Sequence, residues 1–397
     1  MMIWLMLVLL LPRLAMAAEN YPKIANYYLN FFSTKDYAAL SKYDLLILQP
    51  EMGISQGRFW QQYRKAKPDG KLLAYLYPAS FYREALFYDQ FGVRRQLFKE
   101  ISCEDWWLRD TSGEVISSWP QMSVVNLTKK DWQEYNLKHL ISSYNLAKRW
   151  DGVMWDLVDS KLSRYSTEPI DLAENKACGL VTNNIDQEWQ SAMADFLALA
   201  RAKMPKKIML INGDSLPAWQ SKINGRIFEH FPTPWEGAGT WQASMRQYLR
   251  ALPRLNQAPQ VYVLNTRYED NGISRNQQMR FGLASTLLGD GYFAFDSGAE
   301  SHSQLWWFDE YDLKLGKPLA QASNLTGSTA LVAPGLWWRE FEKGAVLVNS
   351  SKITQKTTLP TGIYKRISGL QDKIVNNGQA VTEIEIKPMD ALVLVKK

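Results

Sequence analysis

Gly152-Val153-Met154-Trp155-Asp156-Leu157-Val158-Asp159 is an apolar run that ends in carboxylates, and the pattern recurs. Met209-Leu210-Ile211-Asn212-Gly213-Asp214, Arg226-Ile227-Phe228-Glu229-His230 and Tyr292-Phe293-Ala294-Phe295-Asp296 follow it along the chain. Four of five consecutive units finish in this way, and the exception ends Leu264-Asn265-Thr266-Arg267. Near-continuous apolar runs are expected of parallel strands covered on both faces. A single Asp after a strand is most often a helix cap, and Asp214, just ahead of a helical stretch, fits that reading. The set says more. Side chains alternate along a strand, so Gly152, Met154 and Asp156 share one face, as do Ala294 and Asp296. Small residues below an acid suit the crowded interior of a closed barrel.

Working outward, the same alternation of apolar runs and amphipathic stretches fills most of the chain. Ile24–Phe31, Leu45–Gln49 and Lys71–Tyr77 read as strands one to three, Gly152–Leu157 as strand four, and Lys207–Ile211 as strand five. Arg226–Phe231, Gln260–Asn265 and Tyr292–Phe295 read as strands six to eight. Helical stretches between them include Gly57–Lys67, Asp131–Arg149, Ile185–Ala202, Ser215–Ile223, Thr240–Leu252 and Gln277–Leu288. A long insertion after strand three holds a helix near Tyr88–Ile101 and a hairpin around Thr111-Ser112-Gly113. Eight strand–helix units predict an α/β fold, a (β/α)8 TIM barrel. A doubly wound open sheet is the rival, without a G-x-G-x-x-G or P-loop to support it. Beyond about residue 325, short strands and the turn Asn376-Asn377-Gly378 predict a small antiparallel β-sandwich. The expected domains are therefore a barrel over 18–325 and a sandwich over 326–397.

The first 17 residues read as a signal peptide. Ile3–Leu11 is unbroken and apolar, and Ala15-Met16-Ala17 offers a small-x-small cleavage site after Ala17. A periplasmic or secreted protein is expected, with no stable membrane insertion after cleavage, since no later stretch approaches the length of a membrane span. The net charge of +6 is scattered rather than gathered in a stripe, so nucleic acid is not an expected partner. Cys103 and Cys178 could pair in an oxidising compartment. The three histidines show no zinc-ligand spacing with them, and neither a metal nor a cofactor is expected. Oligomeric state is not legible.

Aromatic residues are abundant, with 16 Trp and 19 Tyr. Most aromatics pack cores, but a pyranose also stacks its C–H face on a ring. Trp106-Trp107, Trp235, Trp241 and Trp306-Trp307 fall in expected loops or element ends and are candidates for that contact. Barrel active sites lie where strands end. An acidic ring in a mouth lined with aromatics is what glycoside hydrolysis requires: one carboxyl protonates the leaving oxygen, and the other attacks the anomeric carbon or activates water.

The strand-four motif Gly152-Val153-Met154-Trp155-Asp156-Leu157-Val158-Asp159 resembles that of barrel enzymes related to the endo-α-1,4-polygalactosaminidases. More closely, the whole chain resembles hypothetical glycosyl hydrolase family 15. That resemblance rests on Phe281-Gly282-Leu283-Ala284-Ser285-Thr286-Leu287-Leu288-Gly289-Asp290-Gly291-Tyr292-Phe293 and on Trp306-Trp307-Phe308-Asp309-Glu310-Tyr311-Asp312 with Leu315-Gly316-Lys317-Pro318. The C-terminal Arg339-Glu340-Phe341-Glu342-Lys343-Gly344 and Asn349 extend it. It implies catalysis by the acids ending strands four and six, which are Asp156 and Glu229. Asp159, Asn212, Asp214, Trp235, Arg267, Asp296 and Trp307 are expected to bind a poly- or oligosaccharide substrate. Asp156, supported by Asn212 and Arg267, is expected to stay ionised. Glu229, among Phe228, Phe231 and Trp235, is expected to be the proton donor. Two other readings stay open: a non-catalytic carbohydrate-binding protein on the same scaffold, and a metal-dependent hydrolase using Asp156, Asp159, Asp214 and Asp296.

Overall fold

The computed structural model describes residues 20–174, 184–235, 239–251, 256–298, 302–328, 332–360 and 362–397. The expected signal segment 1–17 and Cys178 lie outside the described residues. Eight parallel strands form the centre: Ala25–Tyr28, Leu45–Leu48, Lys71–Leu76, Gly152–Val158, Ile208–Gly213, Gly225–Glu229, Val263–Arg267 and Tyr292–Asp296. They run in sequence order around the sheet. A parallel bridge from Ile24 to Phe293 and the bond from the Phe293 amide to the Lys23 carbonyl (2.9 Å) close it into a barrel.

The pleat sorts each strand into two faces. Met154, Leu210, Ile227, Val263 and Ala294 point inward and pack with Tyr27, Ile47 and Leu73. Trp155, Ile211, Phe228, Leu264 and Phe293 point outward into the larger core under the helices. Gly152 admits close strand approach at the floor, since a Cβ there would lie 2.0 Å from the Ile208 carbonyl oxygen.

The helices follow from spacing. Ile185–Lys203 buries Trp189, Ala192, Met193, Phe196, Leu197 and Ala200, the three-and-four spacing of one helix face. Asp186 and Glu188 lie in its first turn and Arg201 and Lys203 in its last, complementing the helix dipole. Arg275–Leu287 differs: every residue from Met279 to Leu287 is buried, because a second layer covers its outer side. Its Gly282 leaves room for strand seven, where a Cβ would meet Thr266 Oγ1 at 2.2 Å. Strand five is followed by only one helical turn, Pro217–Gln220. Among the described residues, strand eight is followed by no α-helix and only by the 3-10 turn Asp309–Asp312. An aromatic strap takes the place of a helix, with Trp306 and Phe308 against Phe295 (5.5 and 5.7 Å) and Tyr311 against Phe293 (6.0 Å).

The insertion after strand three holds helix Val93–Cys103 and a three-stranded antiparallel sheet of Ser80–Tyr82, Ser117–Trp119 and Met122–Val124. The expected hairpin is present, with Ile116 N–H on the Leu108 carbonyl (2.9 Å). Arg94 ties the insertion to the end of strand two, donating to Glu51 (2.5 and 3.1 Å) and Gln49 (2.9 Å). Cys103 ends that helix and is exposed.

The C-terminal region is a six-stranded sheet with a separate two-stranded ribbon, Gln355–Thr358 with Glu383–Ile386. Its central strands are Leu336–Phe341, Gly344–Asn349 and Asp390–Lys396. The sheet begins with Ser323–Asn324, which pairs with Trp337 and Trp338 and so starts slightly before the expected boundary. One face, with Trp337, Val346, Val348, Ala391 and Val393, joins the barrel core. The other, with Leu336, Trp338, Ala345, Leu347, Leu392 and Leu394, packs with Ile384 and Ile386 of the ribbon.

Polar ties fix the sheet to helix Arg275–Leu287. Arg280, 2% exposed, reaches Asp372 (2.5 Å) and both oxygens of Asp390 (3.1 and 3.2 Å). Arg339 donates to the carbonyls of Leu287 (3.1 Å) and Gly289 (2.5 Å) at that helix's C-terminal end. Removing one partner of a buried ion group strands the others without compensation, at a cost of about 3–5 kcal/mol. Arg280→Ala is therefore expected to lower unfolding free energy by about that amount, measured by urea denaturation. A loss below about 1 kcal/mol would mean that the apolar face alone holds the sheet.

Candidate active site

The barrel interior changes character at one level. Two residues beyond each inward apolar side chain stands a polar one: Tyr75 after Leu73, Asp156 after Met154, Asn212 after Leu210. Glu229 after Ile227, Asn265 after Val263 and Asp296 after Ala294 continue the ring. Period-two alternation thus points all six into one space at the C-terminal mouth.

Hydrogen bonds join them into a chain. Asn212 Nδ2 donates to Asp156 Oδ1 (2.9 Å) and to Glu229 Oε2 (2.6 Å). Asp156 also accepts from the Leu157 amide (2.8 Å) and, through Oδ2, from the Tyr75 hydroxyl, which accepts from Tyr77 (2.9 Å). On the far side, His302 Nε2 lies 3.4 Å from Glu229 Oε1, and its Nδ1 lies 2.9 Å from Asp296 Oδ2. Asn265 Nδ2 and the Gly298 amide donate to Asp296, both at 2.7 Å. The ring of Tyr27 stacks on His302 at 4.1 Å.

Backbone strain collects here. Leu157, His230 and His302 adopt left-handed conformations, with φ of 57°, 56° and 43°. Non-glycine residues adopt them at a cost of about 1–2 kcal/mol each, and such residues gather at active sites. At Leu157 the turn produces a bulge between Trp155 and Val158 and swings the Leu157 amide onto the Asp156 carboxylate. His230 directly follows Glu229.

The two acids separate in ionisation. Burial and the Glu229 charge push Asp156 up to about 6, against the pull of its three donors. Burial also disfavours Glu229 ionisation, but the hydrogen bond and charge of His302, with Asn212 and His230, outweigh it and hold Glu229 below the usual carboxylate range. His302 rises to about 9: its burial opposes this, and its bonds to Asp296 and Glu229 prevail. These directions run opposite to the expected assignment, in which Asp156 is ionised and Glu229 protonated. The reason is the pleat. Phe228 faces outward against Tyr248 (5.9 Å), and Trp235 is 66% exposed, so neither gives Glu229 an apolar wall.

The other expected site residues disperse. Asp159 is held by Tyr165 and Arg164 in the loop after strand four. Asp214 clamps Ser160, accepting from its amide (2.8 Å) and hydroxyl (2.6 Å), and so joins two loops rather than capping a helix. Arg267 is exposed at the rim and makes none of the contacts to Asp156 expected of it. Trp307 packs against Tyr43 (5.3 Å), ahead of strand two, and donates to Asp312. Trp106, Trp107 and Trp241 are buried packing residues. Of the four aspartates of the metal reading, Asp159 and Asp214 are held in loops apart from the chain that contains Asp156 and Asp296, and among the described residues no set of three or more His, Cys, Asp or Glu side chains is placed to hold a metal. Sequence reasoning missed His302, His230, Tyr27, Tyr75 and Tyr77. The signal that could have found the histidines was scarcity: two of only three in the chain sit in the mouth.

The sequence profile of hypothetical glycosyl hydrolase family 15 matches residues 64–345. The chain belongs to this family. Membership makes it a glycoside hydrolase whose substrate is a carbohydrate. No curated protein matches it in sequence. Among solved structures, the family 36 α-galactosidase AgaB from Geobacillus stearothermophilus is similar, with TM-score 0.51, 11% identity, and 96% of this chain and 56% of that one covered. The α-galactosidase from Lactobacillus brevis gives TM-score 0.50 and 13% identity over 96% of this chain and 55% of that one. The glycoside hydrolase domain of PelA from Pseudomonas aeruginosa gives TM-score 0.42 and 16% identity over 72% of this chain and 98% of that one. The two α-galactosidases share the fold with this family 15 chain, which spans about half their length.

A carboxyl whose folded pKa is raised binds its proton more tightly in the native state than in the unfolded chain. Its penalty is absent below the unfolded value, grows as pH rises toward the folded value of about 6, and is complete above it. Asp156→Asn removes that penalty. At pH 7 this variant should be more stable than wild type by up to about 3 kcal/mol, and the gain should vanish toward pH 4. Denaturation at the two pH values measures it; a pH-independent difference would show that Asp156 carries no such penalty.

Proposed function

We propose that this protein is an exported, retaining glycoside hydrolase that cleaves a poly- or oligosaccharide with Asp156 and Glu229. The observation that carries this reading is the shared Asn212 amide. Both carboxyl oxygens bond to one nitrogen, at 2.9 and 2.6 Å, so they stand no more than about 5.5 Å apart. Carboxyl groups about 5–5.5 Å apart suit a retaining double displacement, whereas inverting pairs need about 6.5–9.5 Å to admit a water.

Roles follow from the ionisation order, because environments that drive two carboxyl groups apart assign acid and base. Glu229, ionised, attacks the anomeric carbon and forms the glycosyl ester. Asp156 gives its proton to the departing glycosidic oxygen. It then takes a proton from the water that displaces Glu229, which restores both groups. Asn212 holds the pair in register through both steps. Exposed Trp235 is the one member of the expected aromatic set that stands open to solvent as a stacking surface for a sugar. Export is supported by the apolar Ile3–Leu11 run and the Ala15-Met16-Ala17 site.

The test is incubation with a polysaccharide panel and aryl glycosides, with the product anomer read by NMR. Retention is expected. Glu229→Ala should be inactive on every substrate. Asp156→Ala should lose about 10²–10⁴-fold on substrates with poor leaving groups and much less on those whose leaving group needs no proton. The kcat/KM of wild type should fall as pH rises through about 6, where Asp156 loses its proton. Inverted product, or wild-type turnover by Asp156→Ala on poor leaving groups, would overturn the assignment. Carbohydrate binding without any product would favour a non-catalytic binding protein.

A further inference from the structure

His302 takes no part in the proton and bond transfers assigned so far, yet it touches both carboxylates that frame one side of the mouth. It is 5% exposed, follows strand eight, and reaches back across the barrel to the end of strand six. Nδ1 stands 2.9 Å from Asp296 Oδ2, and Nε2 stands 3.4 Å from Glu229 Oε1. A neutral imidazole has one N–H and one bare nitrogen. With both neighbours ionised, either tautomer would turn a lone pair toward a carboxylate oxygen, so only the imidazolium satisfies both.

The surroundings reinforce that state. Tyr27, from strand one, stacks its ring on the imidazole, a favourable face for a cation. Asp296 cannot turn away, because Asn265 Nδ2 and the Gly298 amide also hold it at 2.7 Å. The remaining titratable neighbour is His230, whose Nε2 lies 3.7 Å from Glu229 Oε1. Burial, helped by Arg267, keeps His230 below the usual imidazole range despite Glu229.

We infer that His302 is a positioning residue: held as an imidazolium by Asp296, it fixes the orientation of Glu229 and keeps it ionised, leaving Asp156 as the only proton carrier of the pair. This rests on the hydrolase reading above for its consequence, though not for its observation. A proton on Glu229 would abolish the nucleophile and relieve the repulsion that gives Asp156 its acid character. The Asp296–His302 unit therefore controls both halves of the reaction through a residue that touches no bond being broken.

The three histidines make this accessible to nitrogen-15 imidazole NMR on the full chain, assigned with His230→Gln and His302→Gln. His302 should show two protonated nitrogens up to at least pH 8. Asp296→Asn should lower its titration by at least one pH unit, and Glu229→Gln should do the same. In turnover, His302→Gln should cut kcat/KM at least tenfold and move the acidic limb of its pH profile upward by at least one unit. A side chain with a merely structural role would lower activity and leave both limbs in place. A neutral His302 at pH 7, or an unmoved acidic limb, overturns the inference. If His302→Gln does not fold, the wild-type and Asp296→Asn titrations decide it. Those titrations need no turnover, so a failure to cleave any carbohydrate would count against the hydrolase reading while the charge of His302 is judged separately.

Discussion

One amide nitrogen, Nδ2 of Asn212, donates to Asp156 and Glu229 together, and the site depends on that shared bond. It sets the spacing of the carboxyl groups, and the spacing sets the repulsion that separates their proton affinities. Without a cation, two buried acids this close would compete for protons. His302 breaks the tie by charging the Glu229 side, and Asp296 anchors His302. The polar ring is thus one electrostatic unit running from Tyr77 through Tyr75, Asp156, Asn212, Glu229 and His302 to Asp296.

The rest of the molecule keeps that unit in place. Strands seven and eight carry Asn265 and Asp296, and helix Arg275–Leu287 packs against them. That helix is in turn covered by the C-terminal sheet and tied to it through Arg280 and Arg339. The sheet's role follows from its two faces, one merged with the barrel core and one closed by its own ribbon. On the opposite side, Arg94 and Glu51 fasten the strand-three insertion to the mouth. The left-handed turns after Asp156 and Glu229 are the local strain that this support sustains.

Much of the barrel was legible because its signal is periodic. Apolar runs of four to eight residues, each two-faced, marked all eight strands within a few residues, and helix Ile185–Lys203 was readable from its three-and-four spacing. The inward acids were legible for the same reason: Met154 and Asp156 are two apart, as are Ala294 and Asp296. What was hidden lay in long-range contacts. Nothing in the sequence says that His302, beyond strand eight, returns to Glu229, or that Tyr75 donates to Asp156. The directions of ionisation differ from the expected ones because sequence neighbours were read as spatial neighbours. Phe228 precedes Glu229 in the chain and points away from it. Likewise the tryptophans of the insertion looked like loop residues and are its core, since an insertion of that length needs apolar packing of its own. Asp159 and Asp214 carried the same strand-end signal as Asp156 but are used as loop clamps.

The central claim is a distribution of protons, and neutron diffraction from deuterium-exchanged crystals at pH 5 observes it directly. The account predicts deuterium on both nitrogens of His302, none on Glu229, and one on the Asp156 carboxyl. A bare nitrogen on His302, or deuterium on Glu229 with Asp156 unprotonated, would contradict it.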